Sequence, residues 1–275
     1  MIFLLSGEGR EALRALVSRP ILYAFDFDGT LAPISSDREA VQIPRSLSEW
    51  LKELAKRVPC AIVSGRALAD LTPRINGAVP YLIGNHGLES PLTSPVTLIR
   101  AENIGAGWMK YLNTDLARPL QDLGVEIEDK RYSLTVHYRE TDEPAKARTA
   151  LLRLLDQLEP TPRLIFGKSS VNVLPPGKSG KGPAVLALMG DLRQTGVFFV
   201  GDDETDEDVF GLTEGLAMGV LVGHHAESRA QYYVRHPGEM EEVIRFLVRR
   251  MDRTPESPDQ GEGQTRWSQE AANES

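Results

Sequence analysis

Short unbroken apolar runs alternate along this chain with stretches whose apolar residues recur every three or four positions. The runs at 21–26, 60–63, 81–84, 197–200 and 216–222 predict buried strands. Between the first two, Leu47, Leu51, Leu54, Ala55 and Val58 repeat with helical spacing, and Met240, Val243, Ile244, Leu247 and Val248 do the same near residue 250. Strands and helices alternating in this way predict βαβ units, hence an α/β fold with a mainly parallel sheet.

Residues 89–176 follow another pattern. A helix is predicted over about 105–123, then adjacent strands at 125–129 and 133–138. A second helix follows, with Ala147, Leu151, Leu154, Leu155 and Leu158 on one face and Pro144 in its first turn. Strands at 163–166 and 170–174 complete an α+β unit. The expected layout is a core of residues 1–88 and 177–251 with a domain of residues 89–176 inserted into it. Residues 252–275 are rich in Pro, Gly, Gln, Ser and charge, with Trp267 the sole large apolar side chain, and predict a disordered tail.

Composition narrows the class. Of 275 residues, 41% are hydrophobic and 25% charged, as in ordinary globular proteins. Basic residues number 31 against 39 acidic, a net charge of −8, and no basic stripe stands out, so no nucleic-acid partner is expected. The single cysteine, Cys60, allows no internal disulfide. Ile2-Phe3-Leu4-Leu5 is too short for a signal peptide and lacks a basic flank, and no run reaches transmembrane length. A cytoplasmic protein with no membrane partner, monomeric or weakly homo-oligomeric, is the expectation.

The first apolar run ends in Asp26-Phe27-Asp28-Gly29-Thr30. Like charges two residues apart on a strand project to the same side and repel, and a divalent cation would offset them. Phosphate-ester hydrolysis would use every part of this segment. Asp26 can attack phosphorus, Asp28 can protonate the leaving alkoxide and then deprotonate water, and Gly29 lets the backbone approach a phosphate. The Thr30 hydroxyl can hydrogen-bond a phosphate oxygen.

Three further segments follow: Ala61-Ile62-Val63-Ser64-Gly65-Arg66, then Ser179-Gly180-Lys181-Gly182, then Gly201-Asp202-Asp203-Glu204-Thr205-Asp206-Glu207. Singly they read as a serine-capped turn, a surface lysine and a charged loop before a helix. In this order, the four segments resemble the signatures of haloacid-dehalogenase-like (HAD) phosphotransferases. The resemblance implies a Rossmann-like core with the inserted domain closing over it as a cap. It also implies that Ser64, with Gly65 and Arg66 beside it, and Lys181 hold the phosphoryl group. Mg²⁺ would be held by Asp26, the Asp28 carbonyl and Asp202, with Asp203 and Asp206 in support; hard oxygen ligands suit that ion.

A narrower resemblance covers about residues 20–250. Glu126 to Arg139, with Glu128, Lys130 and Ser133 ahead of His137-Tyr138-Arg139, looks like the sugar-recognition hairpin of trehalose-6-phosphate phosphatases. Gly84-Asn85-His86-Gly87 resembles that family's loop ahead of the cap. The implied activity is Mg²⁺-dependent hydrolysis of trehalose 6-phosphate through an aspartyl-phosphate. Asn85, His86, Glu128, Lys130, His137, Arg139 and Asn172 are the implied substrate contacts. The family usually carries a glutamate where this chain has Asn172, and often a basic residue where it has Leu174. Glucosylglycerol phosphate, mannosyl-phosphoglycerate and sucrose phosphate therefore stay open as substrates. A non-catalytic sugar-phosphate sensor is the alternative of another class, and retention of both Asp26 and Asp28 speaks against it.

Overall fold

Phe25 pairs in register with Ile62 on one side and Val200 on the other, and this central pairing organises the larger of two sheets. The computed structural model describes residues 1–252 except 36, 38, 39, 168, 178, 213 and 214, so the expected tail from 253 onward lies outside the described residues. In chain order come β1 (Ile2–Phe3), α1 (Gly7–Leu16), β2 (Ile21–Phe25), α2 (Arg45–Ala55), β3 (Cys60–Val63), α3 (Leu68–Ile75) and β4 (Tyr81–Ile83). Next are α4 (Pro95–Thr114), α5 (Ala117–Leu123), β5 (Glu126–Asp129), β6 (Leu134–His137), α6 (Pro144–Leu155), β7 (Arg163–Gly167) and β8 (Ser170–Leu174). The chain continues with α7 (Lys181–Asp191), β9 (Gly196–Gly201), α8 (Glu207–Phe210), β10 (Ala217–Val222), β11 (Tyr232–Val234) and α9 (Met240–Met251).

The larger sheet is parallel throughout, in the order β1-β11-β10-β9-β2-β3-β4. Its central strands are buried on both faces, which is why they read as continuous apolar runs. Tyr23 and Phe25 point into one core with Leu51, Ile244 and Leu247, while Leu22 and Ala24 point into the other with Val185 and Leu188. Sequence reading missed the two-residue β1, the short α1 and α3, and the three-residue β11.

The smaller sheet, antiparallel in the order β5-β6-β8-β7, lies between β4 and α7 in the chain. Leu134, Val136, Val171 and Val173 pack on Trp108, Leu112, Leu151 and Leu155 from its helices. By strand alternation Glu128, Thr135, His137, Asn172 and Arg163 occupy the opposite, polar face. The helix predicted over 105–123 is two helices, and the first starts earlier. Ser94 caps it by accepting from the Thr97 amide, and Pro95 stands at its first turn. No helix among the described residues is long and apolar enough to cross a membrane.

Candidate active site

β2 delivers Asp26 and β9 delivers Asp202 at the carboxyl ends of neighbouring parallel strands, where open α/β sheets place their ligands. The Asp26 amide donates to the Val200 carbonyl (2.8 Å), and the Leu31 and Ala32 amides both fold back onto the Phe27 carbonyl. Gly29, inside that turn, has φ +79°, and a Cβ on it would lie 2.2 Å from the Asp202 carboxylate. Conformation and space both demand glycine there.

Lys181, the first residue of α7, is buried and donates to Asp26 Oδ1 and Asp206 Oδ1, each at 2.7 Å. The other oxygen of Asp206 accepts from the Asp202 and Asp203 amides at 2.9 and 3.0 Å. Asp206 thus ties the lysine to the loop after β9. Burial is the largest influence on Asp26 and pushes its pKa well above the ordinary carboxylate range; Lys181 opposes this, and Asp206 and Asp202 add to it. For Lys181, burial works against the charge, but the two carboxylates outweigh it and push the pKa up.

Ligand atoms of Asp26, Asp202 and Asp206 all lie within 4.8 Å of one another. Three carboxylates meet one ammonium there, an excess of negative charge in a buried site. Hard oxygen donors and that charge fit a divalent cation. Asp203 stands outside the trio, its side chain accepting from the Glu204 amide (2.7 Å) to cap the turn Glu204–Asp206.

Asp28 is held by a bidentate clamp: Arg66 Nε and Nη2 donate to its two oxygens, both at 2.7 Å. Arg66 also donates to Asp70 (2.7 Å) and lies over the Phe27 ring. The buried Ser64 hydroxyl accepts from the Arg66 amide (3.1 Å) and shapes the same turn.

The Thr30 hydroxyl is buried and has no hydrogen-bond partner among the described residues. Replacing Thr30 by Val is expected to leave stability unchanged or raise it by up to about 1 kcal/mol, because no bond is lost. If that hydroxyl serves a ligand, turnover falls about tenfold or more. Thermal unfolding and initial rates on one preparation separate the two effects.

Asn85 and His86 occupy consecutive left-handed backbone conformations, φ +47° and +52°, strain of a kind that clusters at functional sites. The buried His86 ring packs on Gly65, where a Cβ would approach it to 2.5 Å. Among the described residues neither ring nitrogen meets a partner at hydrogen-bond geometry, Asn172 being the amide that approaches the ring. Burial, then Lys130 and Lys181, hold its pKa well below 6.5, so the ring is neutral at pH 7. A histidine depressed in the fold and ordinary when unfolded makes the unfolded chain take up the proton first on acidification. Folding stability should therefore fall as pH drops below about 6.5, by up to about 1.4 kcal/mol per pH unit from this group. Urea unfolding of the wild type beside His86→Gln from pH 7.5 to 5.5 should show a shallower dependence in the variant; equal slopes would refute it.

Asn85 is fully buried, and its side chain is spent within the protein. It accepts from the Ser133 hydroxyl and donates to Glu89 and to the Lys130 carbonyl. Lys130 Nζ donates to the Gly65 carbonyl (3.0 Å). The structure thus places Asn85, Gly65 and Lys130 in a joint between the two sheets. On the polar face of the smaller sheet, His137 pairs with Glu128 at 3.0 Å, and the Thr135 hydroxyl donates to Asn172 at 2.7 Å. Arg139 is exposed in the turn after β6, apart from these groups.

Between the sheets lies a cleft of about 160 Å³ lined by His86, Lys181, Arg163, Ile165, Glu204 and Asp208, among others. Sequence reading missed Arg163. Its only signal there is alternation, which puts it on the same sheet face as Asn172. A wider groove of about 850 Å³, lined by Trp50, Glu53, Lys56 and Pro80, contains none of the strand-end carboxylates.

The sequence profile described as Trehalose-phosphatase matches residues 24–237, the span that holds all of these groups. The chain belongs to the trehalose-phosphatase family. A relative from Mycobacterium tuberculosis (strain ATCC 25618 / H37Rv) named trehalose-phosphate phosphatase is 29% identical over 253 residues, covering 87% of this chain and 64% of the relative. The chain therefore spans less than two thirds of that relative's length. A solved structure of a trehalose-6-phosphate phosphatase related protein superposes with a TM-score of 0.67 at 24% identity, covering 83% of this chain and 97% of that one. A haloacid dehalogenase-like hydrolase from Bacteroides thetaiotaomicron gives a TM-score of 0.56 at 15% identity, covering 82% and 98%. The fold of this trehalose-phosphatase family member is thus HAD-like, α/β with a large parallel sheet.

Proposed function

We propose that this chain is a phosphatase that hydrolyses trehalose 6-phosphate to trehalose and phosphate through an aspartyl-phosphate on Asp26. The observation that carries the reading is the buried Lys181 bridging Asp26 and Asp206 beside Asp202, in a chain of this family. A carboxylate oxygen of Asp26 attacks phosphorus as the bond to the sugar oxygen breaks. Asp28 gives that oxygen its proton, then takes one from the water that cleaves the acyl phosphate and regenerates Asp26. To do so Asp28 leaves the Arg66 clamp, which an incoming phosphate dianion favours by competing for the guanidinium. Thr30, Ser64 and Lys181 surround the phosphoryl oxygens.

Mg²⁺ held by Asp26, the Asp28 carbonyl and Asp202 would neutralise charge on the phosphoryl group. Asp203 and Asp206 support that site from the loop. The unit of residues 89–176 acts as a cap that shields the site from water. Glu128, Lys130, His137 and Asn172 then face the sugar, with His86 below and Arg139 at the outer edge. Its Asn172 keeps a hydrogen-bonding amide where a carboxylate would carry charge. A cytoplasmic setting fits the lone buried Cys60, whose thiol burial pushes up to about 12.

Phosphate release is the test, from trehalose 6-phosphate beside glucose 6-phosphate, sucrose 6-phosphate and glucosylglycerol phosphate, with and without Mg²⁺. Mg²⁺-dependent turnover favouring trehalose 6-phosphate is expected. Preference for another ester would reassign the sugar, and binding without any turnover would mark a sensor.

A further inference from the structure

We propose that Arg163 binds the phosphate of the substrate, delivered to the cleft by the edge strand of the smaller sheet. This extends the phosphatase reading and rests on it for the choice of ligand. Arg163 opens β7, whose partner on one side is β8, and the β7 edge runs along the turn Glu204–Asp206. Lys181 shares the cleft but is committed to Asp26 and Asp206. Glu204 and Asp208 also line it and would repel a dianion. Among the described residues that line it, Arg163 is the cation left to meet a ligand.

Its present partner holds it weakly. Arg163 Nη2 stands 3.6 Å from Asp208 Oδ2, beyond hydrogen-bond reach, with the side chains 34% and 43% exposed. Exposed pairs of this kind contribute little. A phosphate offers the guanidinium two parallel charge-assisted bonds in exchange. The backbone leaves room for it beside Lys181: a Cβ on Gly180 would lie 2.8 Å from the Asp208 carboxylate and 3.3 Å from Arg163 Nη1. A second observation marks the cleft as a ligand site, since the buried His86 lines it and, among the described residues, neither ring nitrogen meets a partner at hydrogen-bond geometry.

The test is calorimetric binding of trehalose 6-phosphate, orthophosphate and trehalose to the full chain carrying Asp26→Asn, so that nothing turns over. Adding Arg163→Ala should weaken both phosphate ligands by about 10- to 100-fold and leave trehalose within about threefold. Arg163→Lys should recover part of the loss, and Asp208→Asn should tighten both phosphate ligands by removing the competitor. Unchanged phosphate binding in Arg163→Ala, or an equal loss for trehalose, would overturn the proposal. Turnover by the chain without Asp26→Asn is scored separately. If it releases no phosphate while Arg163-dependent phosphate binding persists, the phosphatase reading fails and the anion site stands.

Discussion

Asp26→Asn is expected to lower phosphate release by about 10⁴- to 10⁶-fold, the scale on which loss of a nucleophile acts. Asparagine fills the same volume, and its carbonyl oxygen can still accept from Lys181, so the fold has no reason to change. Stability should hold or rise, because burial and the neighbouring Asp202 and Asp206 disfavour the charge that is removed. Rates and thermal unfolding from one preparation give both answers. A variant that keeps a tenth of the activity would rule out the covalent route, and one that unfolds early would show that Asp26 also holds the fold.

Lys181→Met is expected to cost about 3–5 kcal/mol, because removing one partner strands the others as buried, uncompensated charges. Asp26 and Asp206 are 7% and 0% exposed in their side chains, so water cannot take the lysine's place. For a chain of this size that corresponds to a melting temperature lower by on the order of 10 °C. The sign of the pH dependence follows. Without Lys181 the Asp26 carboxyl, already raised by burial, loses the neighbour that opposes the rise, so the fold holds more protons than the unfolded chain and loses stability as pH rises from about 4. The deficit should therefore be small in acid and largest near neutrality. Adding Asp26→Asn to Lys181→Met should recover part of it. A deficit independent of pH would mean that lost packing, not stranded charge, is the cause.

What sequence conveyed about this fold followed burial. β2, β3 and β9 are covered on both faces, so their apolar runs are continuous and their ends, where Asp26, Ser64 and Asp202 sit, stand out. The α4 boundary was obscured because Gly105 and Gly107 interrupt the pattern inside a helix that Ser94 and Pro95 had already started. Side-chain partnerships had no periodic signal at all. The Arg66 clamp on Asp28 joins residues 38 apart, and the Ser133 bond to Asn85 joins residues 48 apart. Each residue type suits several partners, so only folded geometry selects one. Asn85 and Lys130, expected from sequence as sugar contacts, also make bonds in the joint between the sheets, which no periodicity announces. Asp206, read as a metal-supporting acid, has both oxygens engaged by Lys181 and the loop amides.

The Phe25–Val200 register also sets an order of assembly during synthesis. Asp26 leaves the ribosome before the antiparallel unit, while Lys181, Asp202 and Asp206 emerge only after the whole of it. That unit is contiguous in sequence and buries its own apolar cluster, so it can collapse first, whereas β2 must wait about 170 residues for β9, a slow, long-range closure. No amino-terminal fragment ending before residue 196 can contain the carboxylate trio. A chain cut within 89–176 divides Asp26 from its lysine, and mixing the two halves would regenerate phosphate release only where β2 finds β9 again.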